Sequence, residues 1–212
     1  SADTVEDLVT TARRRAESVS DVPIAISAFS GTDLDDQGIE NMEAINEVVS
    51  NVLMVKANTN QNGVAVGIRG LGTSRGSVQW DQKISIYVDD VYMIRPQGSL
   101  FDLFDVKDLQ VLKGPQGTLF GKNSVGGVIN LITAKPQFGE AFGSAGIDVG
   151  SYDLLKTKLM LNIPLGDSLA MRIAASSNDR DGDIKNIYSK AKTSHVNNRN
   201  SGAYRISLAW DA

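Results

Sequence analysis

The chain has 212 residues and a formal net charge of −4 at pH 7, so a general nucleic-acid binder with a basic face is not expected. The sequence has no cysteine and a single histidine, His195, which excludes disulfides, thiolate metal sites and any triad or metal site built on several histidines. No run of about 20 apolar residues occurs, so no membrane-spanning helix is predicted.

Before Pro136, short strand-like runs alternate with short helical patterns. A helix is predicted after Asn41, a residue type that caps helix N-termini. Its apolar residues, Met42, Ile45 and Val49, recur at helical spacing. This mixture predicts a small α+β domain. The runs expected to form strands are 24–29, 64–68, 84–88, 109–112 and 128–132.

After Pro136, apolar residues recur with period two, which predicts strands with one apolar and one polar face. Their length of roughly 8–11 residues and their alternation are typical of membrane-barrel strands. A soluble sandwich or meander with one buried face shows the same period, so the alternation alone leaves both architectures open. The four predicted strands lie around 145–149 and at 155–165, 169–177 and 202–212.

The connections between these strands differ in length. Gly166–Ser168 is a short hairpin turn, whereas Asp179–Ser201 is a long polar loop. Short turns on one side and a long polar loop on the other are typical of outer-membrane barrels. Asp181 and Asp183 in the long loop suit weak calcium binding or, more simply, a polar turn.

The most informative segment runs from Val111 to Pro136. A short apolar strand enters a loop rich in glycine, and a second apolar run follows at once. Glycine adopts backbone angles that other residues avoid and lets chains approach closely. The segment therefore predicts a tight loop between two strands.

Three long motifs resemble the plug domain of TonB-dependent outer-membrane receptors. They are NGVAVGIRGLG at 62–72, IYVDDVYM at 86–93 and LFDVKDLQVLKGPQGTLFG at 103–121. Asp90 stands where the family commonly has Gly, and Lys113 replaces the usual Arg. Several long motifs in the right order are specific, and the resemblance covers roughly residues 5–135.

The resemblance implies an α+β plug domain, with a small mixed sheet and short helices, followed by antiparallel transmembrane β-barrel strands. The implied boundaries are 1–20 for a TonB-box segment and linker, 21–136 for the plug, and 141–212 for the first four or so barrel strands. Because a barrel of about four strands cannot close around a domain of this size, the barrel is expected to be incomplete in this chain.

The function implied by the resemblance is TonB-dependent uptake of a scarce ligand, such as a ferric siderophore, across the bacterial outer membrane. The implied partners are TonB, outer-membrane lipid and that small ligand, with the plug and N-terminus accessible from the periplasm. No nucleic acid, cofactor or enzymatic activity is expected. The alternative is a soluble periplasmic ligand- or protein-binding α+β domain with a small antiparallel sheet.

The N-terminal segment before Arg13–Arg15 resembles a TonB box. Such a segment is short and β-prone, and it can add as a strand to an exposed sheet edge of a partner. An ordinary frayed terminus is the simpler alternative. The residues expected to contact TonB are Glu6, Asp7, Leu8, Val9, Thr10, Thr11 and Ala12.

Two further sets of site residues follow from the resemblance. Arg69 and Lys113 each follow an apolar strand and precede a Gly, and the family's basic residues there pair with barrel carboxylates and lock the plug in place. Loops at 73–82, 95–100 and 119–120 are expected to be plug apices that face the ligand. The proposed ligand-facing residues are Arg75, Trp80, Arg95, Gln97 and Phe120.

Motifs typical of enzymes fail on inspection. Gly121-Lys122 resembles a phosphate-binding loop, but Asn123 stands where Ser or Thr should bind magnesium. The acidic pair Asp89-Asp90 is predicted to lie on a strand. Because adjacent strand residues face opposite sides, the two carboxylates are not expected to converge on one metal.

Overall fold

The structure is a computed structural model, and its two compact units are Ser1–Ala134 and Lys135–Ala212. Within the described residues, no helix is both long enough and apolar enough to cross a membrane. The structure describes residues 9–10, 17–18, 25–56, 64–72, 83–93, 103–121, 123–185, 187, 195–196 and 198–211.

In its described residues, the first unit consists mainly of strands, with three short helices. The helices are α1 (Gly31–Asp36), α2 (Ile45–Val48) and α3 (Gly117–Phe120), and a 3-10 turn covers Met42–Ala44. The strands are β1 (Val9–Thr10), β2 (Glu17–Ser18), β3 (Ala25–Ser30), β4 (Val52–Lys56), β5 (Val64–Ile68), β6 (Leu71–Gly72), β7 (Ile84–Val88), β8 (Val91–Tyr92), β9 (Val106–Lys113) and β10 (Gly127–Thr133).

The central sheet of the first unit has five strands in the order β3-β9-β10-β7-β8. The pairing of β10 with β7 is parallel, and the other pairings are antiparallel, so the sheet is mixed. A smaller sheet has the order β4-β5-β6, and β1 pairs with β2. These strands contain the five apolar runs predicted before Pro136, except for residue 24, which lies outside the described residues. The predicted α+β class is confirmed.

The main hydrophobic core lies on one face of the central sheet. Leu109, Val111 and Ile129 from the sheet are completely buried there, together with Met42 and Ile45 from the helical segment. Burial of a side chain of this size stabilises the fold by about 1.5–3 kcal/mol. The core therefore fixes the helical segment against the sheet.

The predicted cap at Asn41 is present. Its Oδ1 atom accepts hydrogen bonds from the backbone N–H groups of Glu43 and Ala44, each at 3.0 Å. The helical segment is shorter than its apolar spacing indicated, because a 3-10 turn precedes a single turn of α-helix and Val49 is already extended. The apolar residues nevertheless face the core as predicted.

Helix α1 and strand β4 are two of the elements of the first unit that were not predicted. Helix α1 begins with a capping box in which Ser30 Oγ accepts from Asp33 N–H and the Asp33 carboxylate accepts from Ser30 N–H. Strand β4 is bordered by Asn46, whose side-chain amide donates to the Met54 carbonyl and whose Oδ1 accepts from Met54 N–H. The Asn46 amide thus takes the place of a neighbouring strand at Met54.

The second unit is a four-stranded antiparallel sheet joined by hairpins, as predicted. The predicted short turn at Gly166–Ser168 is closed by a hydrogen bond from Leu165 N–H to the Leu169 carbonyl. The predicted long loop contains a short ladder of two strands. The strands are β11 (Phe142–Gly150), β12 (Leu154–Pro164), β13 (Leu169–Arg180), β14 (Ile184–Lys185), β15 (His195–Val196) and β16 (Arg199–Trp210).

The faces of this second sheet are inverted relative to a water-soluble protein. On β16, Tyr204 is 86% exposed, Leu208 66% and Trp210 77%. On the opposite face of the sheet, Asn162 is 1% exposed and Arg172 7%. Apolar side chains thus point outward and polar side chains are buried, although the period-two alternation is the one read from the sequence.

Candidate functional site

The glycine-rich loop between β9 and β10 is held in a defined shape. Gly114 N–H donates to the Gly126 carbonyl at 3.1 Å, and Gln116 N–H donates to the Ser124 carbonyl at 2.9 Å. Helix α3 supplies a single turn at the tip, closed by a bond from Phe120 N–H to the Gln116 carbonyl. The predicted tight loop between two strands is therefore present.

This loop packs closely against β5 and β6 where the turn joins them, and we call this contact region the seat. A Cβ atom at Gly127 would lie 2.8 Å from Ile68 Cδ1 and would also meet the Leu112 carbonyl oxygen. A Cβ atom at Gly126 would lie 3.2 Å from Leu71 Cβ. Glycine is needed at these two positions because the backbone of the loop lies directly against the side chains of Ile68 and Leu71 and, at Gly127, against the Leu112 carbonyl.

Arg69 lies in this turn and reaches the glycine-rich loop. Its φ angle of 52° is left-handed, and its backbone N–H donates to the Asn51 carbonyl at 2.9 Å. Its Nη1 atom lies 3.3 Å from the position that a Cβ atom would take at Gly114. Since Gly114 directly follows the half-buried Lys113, the structure brings Arg69 to the residue beside the other predicted lock residue.

A cavity of about 390 Å³ opens beside Arg69 on the small sheet. Its walls are mainly apolar, and Arg69 is the one charged residue among the described lining residues. The cavity and the seat share Arg69, so this residue connects the two features. The lining residues are Asn51, Val52, Leu53, Gly67, Arg69, Gly70 and Gly72.

Phe120 requires a correction. It was predicted to be a ligand-facing residue at a plug apex, but it is only 7% exposed. Its ring packs edge-on against Tyr87 with the centroids 5.1 Å apart, and its carbonyl accepts a hydrogen bond from the Tyr87 hydroxyl at 2.8 Å. The apolar ring is buried because α3 folds back over the sheet, so Phe120 anchors the loop instead of meeting a ligand.

The acidic pair Asp89-Asp90 also differs from the prediction, because the two residues form a turn and not a strand. Their φ angles are 47° and 66°, and they connect β7 to β8, where Val88 pairs with Val91. Asp tolerates this left-handed conformation better than most residues. The Asp89 carboxylate accepts from Thr133 N–H at 3.0 Å and from Thr133 Oγ1–H at 2.7 Å, which fixes the end of β10.

Among the described residues of the first unit, Asp33 and Asp108 have shifted pKa values. Hydrogen bonds from the Ser30 side chain and backbone lower the pKa of Asp33. Burial raises the pKa of Asp108, while the charge of Lys107 acts in the opposite direction. Within the described residues, no group of three or more His, Asp or Glu side chains is placed to hold a metal ion.

Several predicted site residues lie outside the described residues. Of the predicted TonB box, the structure describes Val9 and Thr10, which form β1 and pair with Ser18 and Glu17 of β2. The residues outside the description are Glu6, Asp7, Leu8, Thr11, Ala12, Arg75, Trp80, Arg95 and Gln97.

Sequence comparison gives a family match over more than half of the 212 residues. The family model described as "TonB-dependent Receptor Plug Domain" matches residues 18–128. The catecholate siderophore receptor Fiu of Escherichia coli K12 is 31% identical over 163 residues, which are 73% of this chain and 19% of Fiu. The iron-regulated outer membrane virulence protein of Vibrio cholerae is 26% identical over 194 residues, which are 85% of this chain and 28% of that protein.

Structural comparison gives the same fold. The crystal structure of the ferric yersiniabactin uptake receptor FyuA from Yersinia pestis has a TM-score of 0.77 and 24% identity. The match covers 94% of this chain and 30% of FyuA. The chain thus spans less than a third of the length of each of these relatives.

Proposed function

The chain belongs to the family of TonB-dependent receptor plug domains, and from this membership we propose that it is the plug and the first barrel strands of a bacterial outer-membrane receptor. The family consists of receptors that transport ligands and not of enzymes. The proposed activity is energy-coupled uptake of a scarce ligand such as a ferric siderophore. The proposed parts are 1–20 for the TonB-box segment and linker, 21–136 for the plug and 141–212 for barrel strands.

The inverted second unit is the observation that carries this proposal. Exposed Tyr204, Leu208 and Trp210 suit contact with outer-membrane lipid, and the hydrogen-bonded ladder satisfies the backbone groups between the strands. A soluble periplasmic domain would instead need another protein to cover this face. Four strands cannot close around a domain of the size of the first unit, so they belong to a larger barrel.

The proposed ligand contacts lie in the loops predicted to be plug apices. Arg75, Trp80, Arg95 and Gln97 supply the cationic, aromatic and amide groups that recognise a polar, anionic chelate. The names of the relatives, which refer to siderophores, iron regulation and ferric uptake, support this ligand class. Phe120 is not part of the proposed contact surface, because it is buried.

Arg69 and Lys113 are the proposed lock between plug and barrel. The seat brings the Arg69 guanidinium to Gly114, next to Lys113, and two neighbouring cations favour an acidic partner. Removing both cations should leave that partner's carboxylates unpaired, at a cost of about 3–5 kcal/mol if they are buried. We expect the double variant Arg69→Ala/Lys113→Ala to speed hydrogen exchange throughout the first unit of the intact receptor.

The matched control for the lock is Lys83→Ala/Lys107→Ala, which removes the same charge at two positions outside the proposed lock. It should leave hydrogen exchange unchanged, because neither lysine is proposed to pair with a barrel carboxylate. Equal exchange in the lock variant and in the control would rule out the lock.

TonB is proposed to bind residues 6–12 by strand addition. This segment includes β1, which forms a backbone ladder with β2 and is therefore able to adopt the extended conformation that strand addition needs. The segment is expected to be accessible from the periplasm.

The transport proposal is tested with Val9→Pro in the intact receptor. Proline removes one backbone N–H and fixes φ, so it should weaken TonB binding and reduce ferric siderophore uptake in iron-limited cells. Val9→Ala is the control, because it keeps the N–H group and should retain uptake. Normal TonB crosslinking and normal uptake in the proline variant would contradict strand addition at this segment.

A further inference from the structure

Three buried polar side chains lie in the middle of the central sheet and have no role in the proposed transport function. Ser85 is 0% exposed, Gln110 1% and Asn130 2%. They come from three neighbouring strands, β7, β9 and β10. Polar residues this deeply buried are costly unless their hydrogen bonds are satisfied.

The sheet register places these side chains on one face. Asn130 pairs with Gln110 on one side and with Tyr87 on the other. Ser85 precedes Tyr87 by two residues and therefore points to the same face as Tyr87. Side chains of directly paired residues lie about 4.5–5.5 Å apart at Cβ, so the amides of Gln110 and Asn130 are neighbours.

The oxygen atoms of the three side chains lack partners. Gln110 Oε1, Asn130 Oδ1 and Ser85 Oγ are buried and make no hydrogen bond within the described part of the chain. The two amide oxygens can only accept, so their partner must be a donor. The Tyr87 hydroxyl next to them donates to the Phe120 carbonyl.

We propose that Gln110 and Asn130 bind one ordered water molecule between them. The water donates one hydrogen to Gln110 Oε1 and the other to Asn130 Oδ1, the two oxygens of directly paired residues, whereas Ser85 pairs with Val128 and lies farther away. A buried water typically makes about 2–4 hydrogen bonds, so these two satisfy it. The deep burial favours an occupant of this size over a side chain, and the uncharged oxygens favour a neutral ligand over a cation.

A high-resolution crystal structure of the receptor that contains this chain tests the site directly. The expected result is a density peak about 2.7–3.2 Å from both amide oxygens. A peak with the shorter, multiple contacts of a metal ion would overturn the proposal. An empty site, amides that bond each other, or a donor side chain in this position would overturn it as well.

A double-mutant cycle tests whether Gln110 and Asn130 share the water. Gln110→Met and Asn130→Leu each remove one acceptor at similar volume, and each should speed hydrogen exchange of β9 and β10 by about tenfold. The first substitution already releases the water, so the second has no further bond to it to remove. The increase in exchange rate in the double variant should therefore be clearly smaller than the product of the two single increases.

The control cycle pairs Gln110→Met with Asn162→Leu, whose amide is satisfied by the backbone of Gln137 and Glu140 in the second unit. These two effects should multiply, since the sites have no shared partner. Effects that multiply in the Gln110 and Asn130 cycle as well would overturn a shared water. Single substitutions without effect would overturn it too.

Discussion

The two units of the chain use the same alternation of apolar and polar residues in opposite ways. In the first unit, Ile129 points from its sheet into a core and is completely buried, whereas Asn130 beside it faces the other side. In the second unit, Ile206 is 64% exposed and Asn162 is buried. Alternation therefore defines two faces of a strand but does not tell which face meets solvent.

What distinguishes the units is the extent of the alternation. The strands of the central sheet in the first unit are two to eight residues long and are interrupted by helices and turns. In the second unit, β12, β13 and β16 continue for 11 or 12 residues each. Long strands joined by hairpins, without a helix to cover a face, are the arrangement that places apolar side chains outward in lipid.

The largest expected difference between the units is the cost of removing an apolar side chain. Ile129→Ala should reduce the free energy of unfolding by about 2–5 kcal/mol, because it leaves a cavity in the core. Ile206→Ala should cost at most about 1 kcal/mol, because that side chain is mostly exposed. Urea unfolding of the detergent-solubilised receptor measures both, and equal costs would break the comparison.

A charge placed on each face of β16 sharpens the comparison. Leu208→Lys puts an ammonium group on the exposed apolar face and should destabilise the receptor in a bilayer by about 2–4 kcal/mol if the residue lies near the membrane midplane. Ser207→Lys is the matched control on the opposite face and should cost less. The comparison is made by unfolding in lipid vesicles, and a greater loss for Ser207→Lys would reverse the proposed orientation of the strand.

The smallest expected effects concern the pH dependence of the first unit. The lowered pKa of Asp33 gives a stabilisation that is present above the ordinary pKa of 3.8 and is lost as the pH falls through the lowered value. The raised pKa of Asp108 has the opposite effect on stability. Its stabilisation is present below pH 3.8 and is lost as the pH rises through the raised pKa.

The substitutions Asp33→Asn and Asp108→Asn separate these two contributions. Asp33→Asn should weaken the loss of stability in acid, whereas Asp108→Asn should remove a loss that occurs as the pH rises. Unfolding midpoints measured across the acid pH range test both expectations. If the two substitutions changed the slope of stability against pH in the same direction, the two assigned pKa shifts would be contradicted.

Much of the fold could be predicted because its strands are contiguous apolar runs with clear ends. The runs at 64–68 and 84–88 match β5 and β7 at both ends. Strand β4 was missed because the helical spacing of the preceding segment runs directly into it without Gly or Pro. Helix α1 has one buried apolar residue, Leu34, and only the Ser30–Asp33 capping-box spacing could have indicated it.

The candidate site was less predictable, because its contacts join distant segments. The sequence indicated the glycine-rich loop but not that Arg69 lies over Gly114, since this contact depends on the pairing of β5 with β6 and of β9 with β10. The burial of Phe120 depends on how α3 folds back onto Tyr87. Positive φ angles at Asp89 and Asp90 also have no distinct sequence signal, because Asp is equally common in other turns.

The strand order of the central sheet has a consequence for the sequence of folding events. Strands β9 and β10 are consecutive and can pair as soon as both have been synthesised, because only one loop must close. Strand β3 lies at the sheet edge and has β9 as its sheet neighbour, with Ala25 opposite Lys113. Of the strands in the central sheet, β3 is synthesised first, but its partner β9 is synthesised much later. We therefore expect β3 to join the sheet late.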